Sequence, residues 1–600
     1  MITSKIYNKV IGLAIAALTF AACADTWNDH FENRGEGINE ASLWQAISQN
    51  SNLSNFAKVV QACGYDKALN GSQVFTVFAP TNENFSAQEA DELIAGYNAE
   101  KGKVNEDDNT VIKEFIQNHI AMYNHSIAES GNDSLILMNG KKTTLSTSLF
   151  GVNPILSINQ HYANGVLFTI QGKAHYFPTV FEYLRKDANL DSIGDFFYNS
   201  RFYRKEFLPE RSVAGGLENG KTVYLDSVFV QQNDLWDMLW AYTNHEDSTY
   251  WMVVPTNKEW KKLIEEYEPY FNYDDNTPFR DSMVYTMPRL AIVDGTTFSR
   301  TLNTDAHLTD SALSTSAAET YVNREYMWGS KSLHYYQFGG KSADNTQKPF
   351  SATGIFTDTE NVECSNGQVM KSDNWKINKL NTFHQWLIIE AEEQSSYKVL
   401  TKEVKGNDSI LTVTPTIRRV MNDNKFNGKV WSNAYVEFIQ NTTTKQHRVS
   451  FYIRNVLSNI GYDIYLVTAP ALANDSNATG TDRLPTKVDC SISYHNQKGE
   501  TETKVLKSKI TNNPDVVDYI LLAEDFKFPT ATFGLTETEP QVTLEVKTNV
   551  SSPEQTQKKF VRTMRIDCIM LVPHGISNVN EERFEVAPHG DGDTFQWLKN

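Results

Sequence analysis

The sequence predicts a multidomain protein in which two α+β domains are followed by an all-β sandwich of the jelly-roll type. A buried strand that ends in Pro-Thr-Asn occurs twice, at residues 74–85 (VFTVFAPTNENF) and 250–260 (YWMVVPTNKEW). An Asn-Gly turn that leads into an apolar run follows each copy, at residues 163–170 and 365–370. From about residue 381 onward, short alternating runs replace this pattern. Because 600 residues are too many for one hydrophobic core, at least three domains are expected.

The strand at residues 74–85 is the segment around which the first domain is organised. Its β-branched and aromatic residues are typical of a strand buried on both faces. Pro80 ends the strand because proline has no N–H to donate, and Thr81 or Asn82 is then expected to cap the helix that follows. The pattern Thr-hydrophobic-Phe-Ala-Pro-Thr-Asn, with Phe85 three residues on, resembles the signature of fasciclin domains.

This resemblance gives the limits of the first two domains. Residues 38–175 are expected to form one fasciclin-like domain, closed by the Asn-Gly motif at Asn164. Residues 176–380 are expected to form a degenerate second copy with insertions, one of them at residues 326–338. The Pro-to-Gly separation is 165 − 80 = 85 residues in the first copy and 367 − 255 = 112 in the second. Internal duplication of one unit explains this pattern, and fasciclin domains mostly serve adhesion and extracellular binding.

Several local patterns predict elements of the first domain. Ser42 is expected to cap a short helix, and Gly64 to follow the end of a second one. Asn139-Gly140 predicts a tight hairpin between residues 134–138 and 142–145. His119 belongs to an apolar stripe over residues 111–120 and is interpreted as a core-edge histidine. His125 comes six residues later (125 − 119), on another helix face, so the two cannot chelate one metal from one helix.

The third domain is expected over residues 381–600, as a sandwich that folds alone. Short alternating runs with polar turns between them are typical of two packed antiparallel sheets. Residues 449–459 followed by 462–465 resemble the galactose-binding-type jelly rolls of carbohydrate-binding modules. The predicted strands cover residues 410–414, 435–439, 449–453, 462–467, 488–493, 542–546 and 566–572.

The first 22 residues have the form of a signal peptide. Lys5 and Lys9 precede an apolar run of 13 residues, Val10 to Ala22, which is shorter than the roughly 20 needed to span a bilayer. Small residues before Cys23 resemble the cleavage box of bacterial lipoproteins, with Cys23 as the lipidated N-terminus. Residues 23–37 resemble the tether that carries lipoproteins of some Gram-negative gut-type bacteria to the outer face of the outer membrane. The alternative is an ordinary secretory signal with Cys23 incidental.

The net charge argues against nucleic acid as a partner, and the cysteine spacing argues against a disulfide framework. The net charge of −18 argues against nucleic acid, whose phosphates bind clustered Lys and Arg, and leaves the lipid anchor as the expected membrane contact. The four other cysteines, Cys63, Cys364, Cys490 and Cys568, show no framework spacing and are expected to be buried free thiols. Whether Cys490 and Cys568 pair remains open at this point.

No catalytic, metal or cofactor site is expected. The sequence has no phosphate-binding loop, zinc-protease helix or nucleophile elbow. Residues 588–593 have carboxylates at a calcium-like spacing but lack the bidentate Glu of a calcium loop. Glu390, Glu392 and Glu393 could serve a glycosidase only if two of them faced one cleft, and acidic pairs are common by chance in this chain.

Aromatic residues beside amides are the candidate ligand-binding positions. A sugar's C–H face packs on an exposed ring while nearby polar groups bond its hydroxyls. The alternative for each ring is that it fills a core. The candidates are Trp431, Asn433 and Tyr435 in the sandwich, and Trp328, Tyr335 and Tyr336 in the second copy.

Together these observations predict a non-catalytic, lipid-anchored cell-surface protein of the outer membrane. The leading hypothesis is an accessory glycan-binding component of an outer-membrane polysaccharide uptake system, with a polysaccharide ligand and a TonB-dependent transporter complex as partners. The alternative is an adhesin or assembly subunit whose partner is a surface protein.

Overall fold

The computed structural model has two compact units that divide after Phe177. It describes residues 40–127, 132–211, 213–218, 221–226, 229–239, 241–300, 312–314, 335–337, 354–377, 379, 383–384, 387–399, 402–405, 408–411, 413–440, 446–535, 541–575, 582–586 and 595–599. Cys23, the signal peptide and the tether lie outside these residues, as do Trp328 and most of the predicted insertion at 326–338.

Unit 1 is an α+β domain with one seven-stranded sheet. The strand order is β2-β1-β7-β6-β5-β4-β3. Its helices are α1 Leu43–Gln49, α2 Ser54–Ala62, α3 Asp66–Leu69 and α4 Ala87–Glu100, with short 3-10 segments at Ser51–Leu53, Glu106–Asp108 and Gln117–His119 and a π-helical turn at Ile112–Ile116. Its strands are β1 Phe75–Pro80, β2 Ile120–Met122, β3 Asn132–Ile136, β4 Lys142–Ser146, β5 Leu149–Phe150, β6 Asn153–Tyr162 and β7 Gly165–Ile170.

The predicted strand β1 is buried along its whole length and pairs in parallel with β7. Ser42 caps α1 through a capping box with Gln45, and Gly140 has the positive φ of the predicted hairpin turn. The expected capping role of Thr81 or Asn82 is wrong. Ser86 caps α4 instead, while the Asn82 side chain bonds Ser51, Ser54 and Asn55 and so holds the end of β1 against the start of α2.

His119 lies in the core of unit 1, as predicted, and its neutral form is fixed there. The ring is fully buried, Nδ1 lies 2.6 Å from the Phe115 carbonyl oxygen, and Nε2 accepts the Ala174 N–H at 2.9 Å. An acceptor on one nitrogen and a donor on the other require the neutral Nδ1–H tautomer. Burial lowers the pKa of His119 to about 4.

Unit 1 should therefore lose stability as the pH falls from 6.5 towards 4. In this window the unfolded chain, with an ordinary histidine pKa near 6.5, binds a proton that the folded unit excludes. The expected loss is about 2–3 kcal/mol between pH 7 and pH 4.5. Hydrogen exchange of the peptides around residues 112–122 at both pH values measures it. Equal protection at pH 7 and pH 4.5 would contradict this assignment.

The first half of unit 2 repeats the central feature of unit 1. Its helices are α5 Val180–Tyr183, α6 Asp191–Phe197, α7 Asp234–Leu239, α8 Asn257–Tyr267 and α9 Arg280–Val293, with 3-10 segments at Ala188–Leu190, Pro209–Arg211 and Glu268–Phe271. Its strands are β8 Tyr203–Phe207, β9 Val213–Glu218, β10 Lys221–Asp226, β11 Phe229–Asn233, β12 Tyr250–Pro255, β13 Thr297–Ser299, β14 Ala312–Ser314, β15 Tyr335–Gln337, β16 Thr359–Cys364 and β17 Gly367–Ser372.

Register and side-chain chemistry show that the two copies are equivalent. Strand β12 pairs in parallel with β17, from Tyr250 opposite Gly367 to Pro255 opposite Ser372, as β1 pairs with β7 from Phe75 opposite Gly165 to Pro80 opposite Ile170. The asparagine before each glycine is buried and bonds three backbone groups. Asn164 accepts from the N–H of Leu43 and donates to the carbonyls of Leu69 and Gly71, and Asn366 does the same with Val180, Thr243 and His245.

The second half of unit 2 is a β-sandwich that contains six of the seven predicted strands, whereas the predicted strand at residues 410–414 is divided between the end of β21 and the start of β22. Its strands are β18 Leu387–Glu390, β19 Tyr397–Val399, β20 Lys402–Lys405, β21 Asp408–Leu411, β22 Val413–Arg419, β23 Ala434–Gln440, β24 Arg448–Ile453, β25 Gly461–Thr468, β26 Lys487–His495, β27 Thr501–Thr511, β28 Asp518–Lys527, β29 Val542–Thr548, β30 Met564–Pro573, β31 Glu582–Val586 and β32 Phe595–Lys599. It also contains helix α10 Ser552–Thr556 and 3-10 segments at Gln394–Ser396, Trp431–Asn433, Ala471–Ala473 and Gly480–Arg483.

Two sheets form the sandwich. One has the order β22-β23-β30-β25-β28, with β18 alongside β30, and the other has the order β19-β24-β29-β26-β27. In the described residues, every strand of these two sheets comes from residue 387 onward, in agreement with the expectation that none is borrowed from upstream.

The hydrophobic core nevertheless continues from the second α+β copy into the sandwich. Tyr273 is fully buried and its hydroxyl donates to the Phe533 carbonyl at 2.8 Å. The Asn272 side chain donates to Gln497 and to the Pro529 carbonyl, and the His495 ring bonds Asp274. This shared core argues against the expectation that residues 381–600 fold alone.

The structure also shows the state of four cysteines and whether any described helix could cross a membrane. Cys63, Cys364, Cys490 and Cys568 are buried and free, as expected, so Cys490 and Cys568 do not pair. Over the described part of the chain, no helix combines the length and hydrophobicity that crossing a bilayer requires.

Candidate functional site

The candidate site lies on the outer face of the six-stranded sheet of the sandwich. Alternate residues of β30 and β25 point into the shared core, among them Ile569, Leu571 and Leu466. The residues between them form a second apolar cluster on the opposite face, composed of Val467, Cys568, Met570 and Val572. Both faces of these central strands are therefore covered, the inner face by the core and the outer face partly by aromatic side chains.

Three aromatic side chains, Trp431, Tyr465 and Tyr519, pack on this outer cluster and are only partly buried. The strand register places their neighbours in cross-strand rows. Tyr465 and Ile388 lie opposite Met570 from its two sides, and Val467 separates Cys568 from Tyr519. Directly opposed residues project to the same face, so a rigid surface of aromatic and apolar groups results. We call Trp431, Tyr465, Tyr519 and the adjoining Glu390 and Ser432 the Trp431 face.

The backbone holds Trp431 firmly in a tight 3-10 turn. Its N–H donates to the Asp567 carboxylate at 3.1 Å, and the two residues after it, Ser432 and Asn433, have positive φ angles of 49° and 51°. The Asn433 side-chain oxygen accepts the Gly428 N–H at 2.7 Å, and the Asn433 carbonyl accepts the Val420 N–H at 2.8 Å. Asn433 therefore builds the turn that presents Trp431.

A cluster of three carboxyl groups, Glu390, Glu392 and Asp567, lies beside the turn that carries Trp431. The Ser432 hydroxyl donates to Glu390 at 2.8 Å. Asp567 occupies a β-bulge, because Val467 pairs with Cys568 whereas the next residue, Thr468, pairs with Ile566. Bulges re-aim side chains and are frequent beside functional sites. Asp567 is only 1% exposed, and its Oδ1 has no hydrogen-bond partner among the residues that the structure describes.

Burial and mutual repulsion keep part of this cluster protonated. Burial, reinforced by the adjacent Glu390 carboxylate, raises the pKa of Glu392 to about 8, against the opposing influence of Arg419. Burial also raises the pKa of Asp567 well above its usual range, and the charges of Glu392 and Glu390 add to this. At neutral pH Glu392 is therefore mainly a carboxylic acid. In the described residues, no group of three or more His, Cys, Asp or Glu side chains is arranged to hold a metal ion.

The predicted ligand-binding residues differ in whether a ligand can reach them. Trp431 is partly exposed on the face, and Asn433 supports its turn from two residues away. The Tyr435 ring is fully buried in a separate apolar cluster and is not accessible to a ligand, so we remove it from the candidate site. Tyr335 and Tyr336 lie in β15, paired with β14, and their side chains fall outside the described residues. Trp328 and Cys23 also lie outside them.

Tyr465, Tyr519 and Asp567 were not among the residues predicted for the site. The alternation in β25 contained a signal for the first, since Ile464 and Leu466 face the core and Tyr465 between them must face outward. The burial of Asp567 had no such signal, because it depends on a bulge in a pairing between strands about 100 residues apart (567 − 467).

Comparison with known proteins identifies the first unit. Residues 51–172 match the family model of the Fasciclin domain. Among solved structures, the chain is similar to a FAS1 domain pair from the insect cell adhesion molecule fasciclin I, with 11% identity over 56% of this chain and 99% of that one, and a TM-score of 0.18. No curated protein matches the sequence at a significant level.

Two bacterial enzymes also show similarity, over about a third of this chain. One is the Clostridium thermocellum N-terminal endo-1,4-beta-D-xylanase 10B in its CBM22-1 and GH10 modules, at 12% identity over 32% of this chain and 28% of that one, with a TM-score of 0.19. The other is a Paenibacillus xanthan lyase, at 16% identity over 30% and 13%, with a TM-score of 0.16. These TM-scores are too low to indicate a function. Residues 51–172 thus form a fasciclin domain of α+β fold, which a region of several β-sheets follows in the same chain.

Proposed function

We propose that the protein is a non-catalytic binding protein of the cell surface whose sandwich binds a polysaccharide on the Trp431 face. The observation that carries the proposal is the position of Trp431. Its ring is partly exposed, its backbone is fixed by Asp567, and hydrogen-bonding groups of Ser432 and Glu390 adjoin it.

This arrangement has the chemistry that sugar recognition requires. The C–H face of a pyranose packs on an aromatic ring, while carboxylate and hydroxyl groups bond its hydroxyls. Tyr465 and Tyr519 extend the same apolar surface, so more than one sugar unit has a ring to contact. The aromatic residues stand on strands or on a turn braced against a strand, and such positions hold a binding site more accurately than free loops do.

Replacing Trp431 with alanine tests the proposal. The affinity of an open, shallow site should be modest, in the micromolar-to-millimolar range, because few contacts offset the cost of association. Trp431→Ala should abolish retardation in gels that contain the polysaccharide selected from a broad panel. Because the ring is only partly buried, the loss of stability should stay below the roughly 3–5 kcal/mol of a fully buried Trp truncation.

The control is Phe279→Ala, which removes an aromatic ring that is 85% exposed elsewhere in unit 2 and should leave retardation unchanged. Retardation of the Trp431→Ala variant equal to that of the wild type, or failure of the intact protein to bind any polysaccharide of the panel, would contradict the proposal.

We also propose that Cys23 anchors the protein to the outer membrane, on the outer side, and that it serves a polysaccharide uptake system together with a TonB-dependent transporter. The support for the anchor is the short apolar run that ends in small residues before Cys23. Cys23→Ser should move the protein from the membrane fraction to the soluble fraction. Unchanged membrane retention would exclude lipidation at Cys23, whatever the sandwich binds.

A second function, adhesion through a protein partner, is favoured by one observation on unit 1. Apolar side chains of the adjacent strands β5 and β6 are exposed, Leu149 by 43%, Leu156 by 53% and Ile158 by 41%, and so is Ile136 of β3 by 60%. Exposed apolar groups that lie together are typical of interaction surfaces. If adhesion is the function, Leu156→Ser with Ile158→Ser should abolish partner binding, whereas Trp431→Ala should not affect it.

A further inference from the structure

We propose that the Trp431 face binds a glycan that carries protonated amines, an amino sugar, with its ammonium group against Glu390 and Glu392 and its ring on Trp431. This inference rests on the proposed function and specifies its ligand class. A face that binds neutral sugars needs an aromatic ring and a few hydroxyl partners. The Trp431 face includes the carboxyl group of Glu390, and Glu392 and Asp567 lie close to it, so the local chemistry favours a cationic ligand.

The carboxyl cluster has an accessible side and a buried side. Glu390 and Glu392 are partly exposed, and the exposed Ser432 donates to Glu390. Asp567 is buried, and one of its oxygens accepts the Trp431 N–H. A ligand can therefore contact Glu390 and Glu392 but not Asp567. An ammonium group has three donors, and attraction to the face of an indole adds to its bonds with carboxylates.

Unsatisfied acceptors inside the cluster are a second, independent indication. The Oδ1 atom of Asp567 and the Oε2 atom of Glu392 are buried and have no hydrogen-bond partner within the part of the chain that the structure describes. Buried polar atoms without partners are costly, so they are rare in native proteins and require an explanation. An ammonium group that displaces the Glu392 proton would donate to the Oε2 atom of Glu392 and so supply its missing partner.

The neighbouring charges leave this cluster negative. Arg418 and Arg565 each bond Glu437, at 2.7 Å, and Arg565 also lies 3.9 Å from Asp482, so both guanidinium groups are engaged elsewhere. Arg419 is an exposed cation close enough to lower the pKa of Glu392, but among the described contacts it makes no hydrogen bond to the three carboxyl groups.

Ligand binding should exchange a proton for the ammonium group. In the free protein the elevated pKa of Glu392 means that its carboxyl group is protonated at pH 6. When an ammonium group replaces the proton between Glu390 and Glu392, Glu392 becomes a carboxylate and the proton passes to solvent. Binding should therefore release close to one proton per occupied site.

Calorimetric titration of the full chain at pH 6 tests this inference, with glucosamine tetramer as the probe and N-acetylglucosamine tetramer as its neutral counterpart. The amine form should bind about tenfold or more tightly, which corresponds to about 1.4 kcal/mol. Its apparent binding enthalpy should depend on the ionisation enthalpy of the buffer, since a proton is released.

Glu392→Gln should remove the preference for the amine form without reducing stability, because glutamine has the shape of the protonated acid. Glu393→Gln is the matched control, since it makes the same change of charge one residue away on an exposed side chain. It should keep the preference, and thereby separates the site from a general attraction of polycations to a chain of net charge −18.

Equal affinity for the two tetramers, or equal effects of Glu392→Gln and Glu393→Gln, would overturn the inference while leaving glycan binding intact. Loss of the amine preference in the presence of millimolar calcium chloride, with calcium itself bound in a titration, would assign the cluster to a metal and would also overturn it. Failure of the Trp431→Ala variant to weaken any glycan would instead overturn the proposed function.

Discussion

Replacing Gly165 with alanine should unfold unit 1, at a cost of roughly 4 kcal/mol or more, which is the range of exceptional substitutions. A Cβ atom at this position would lie 2.0 Å from the Phe75 carbonyl oxygen and 2.6 Å from the Leu43 side chain. The carbonyl belongs to β1, which lies between β2 and β7 in the sheet and pairs with β7 at this residue. Relief of the overlap would require the two parallel strands to separate, and the φ of 151° adds strain.

The matched control is Gly102→Ala. Gly102 also has a positive φ, 75°, but a Cβ atom there would have nothing within 4 Å. Its substitution should cost only about 1 kcal/mol, the price of the backbone conformation alone. Denaturant unfolding of both variants measures the difference. Equal losses of stability for Gly165→Ala and Gly102→Ala would show that the close approach of β1 and β7 is not as described.

Removing residues 178–380 should prevent the sandwich from folding stably, and this is the second large effect. Fragment 381–600 lacks Phe271 and Tyr273, which insert their rings beside Phe533 in the shared core. Without these residues, several large side chains of the core become exposed to solvent. The burial of each contributes about 1.5–3 kcal/mol to the free energy of unfolding. Fragment 178–600 should melt cooperatively, whereas fragment 381–600 should aggregate or melt without cooperativity.

A point variant distinguishes the loss of shared-core contacts from the other effects of removing residues 178–380. Tyr273→Ala in the full chain should cost about 3–5 kcal/mol, since it empties a fully buried ring site and leaves the Phe533 carbonyl without its donor. Tyr285→Ala, at a position 36% exposed in the same unit, should cost less than about 1 kcal/mol. A cooperative transition of fragment 381–600 at the temperature of the full chain would contradict the shared core.

The fold was largely predictable because its signals are local. The Pro-Thr-Asn corner and the Asn-Gly turn each occupy a few consecutive residues, and a buried strand has a recognisable composition. Their physical roles were less predictable. Thr81 or Asn82 was expected to cap the helix that follows β1, yet Ser86 does so, because a helix begins where a side-chain cap and backbone geometry coincide and not at the nearest polar residue.

The candidate site was predictable only in part, because it is assembled from distant segments. Trp431 was identified from its neighbours in sequence, but its partner Asp567 is 136 residues away (567 − 431), and Glu390, the partner of Ser432, is 42 residues from that serine (432 − 390). Tyr435 was wrongly predicted to be accessible. Alternation along β23 assigns its residues to two faces of the sheet, but it does not show which face a loop covers. The shared core was missed for a similar reason, since a sandwich with complete sheets can still depend on another segment to close one end.

Hydrogen exchange of the full chain, with and without the polysaccharide that retards it, tests the central claim most directly. Binding at the Trp431 face should slow exchange in peptides that cover residues 387–392, 429–434, 461–468 and 518–521, and should leave unit 1 unchanged. Protection confined to β5 and β6 of unit 1, with no change around Trp431, would contradict the account and would assign binding to the exposed apolar strands of the fasciclin domain.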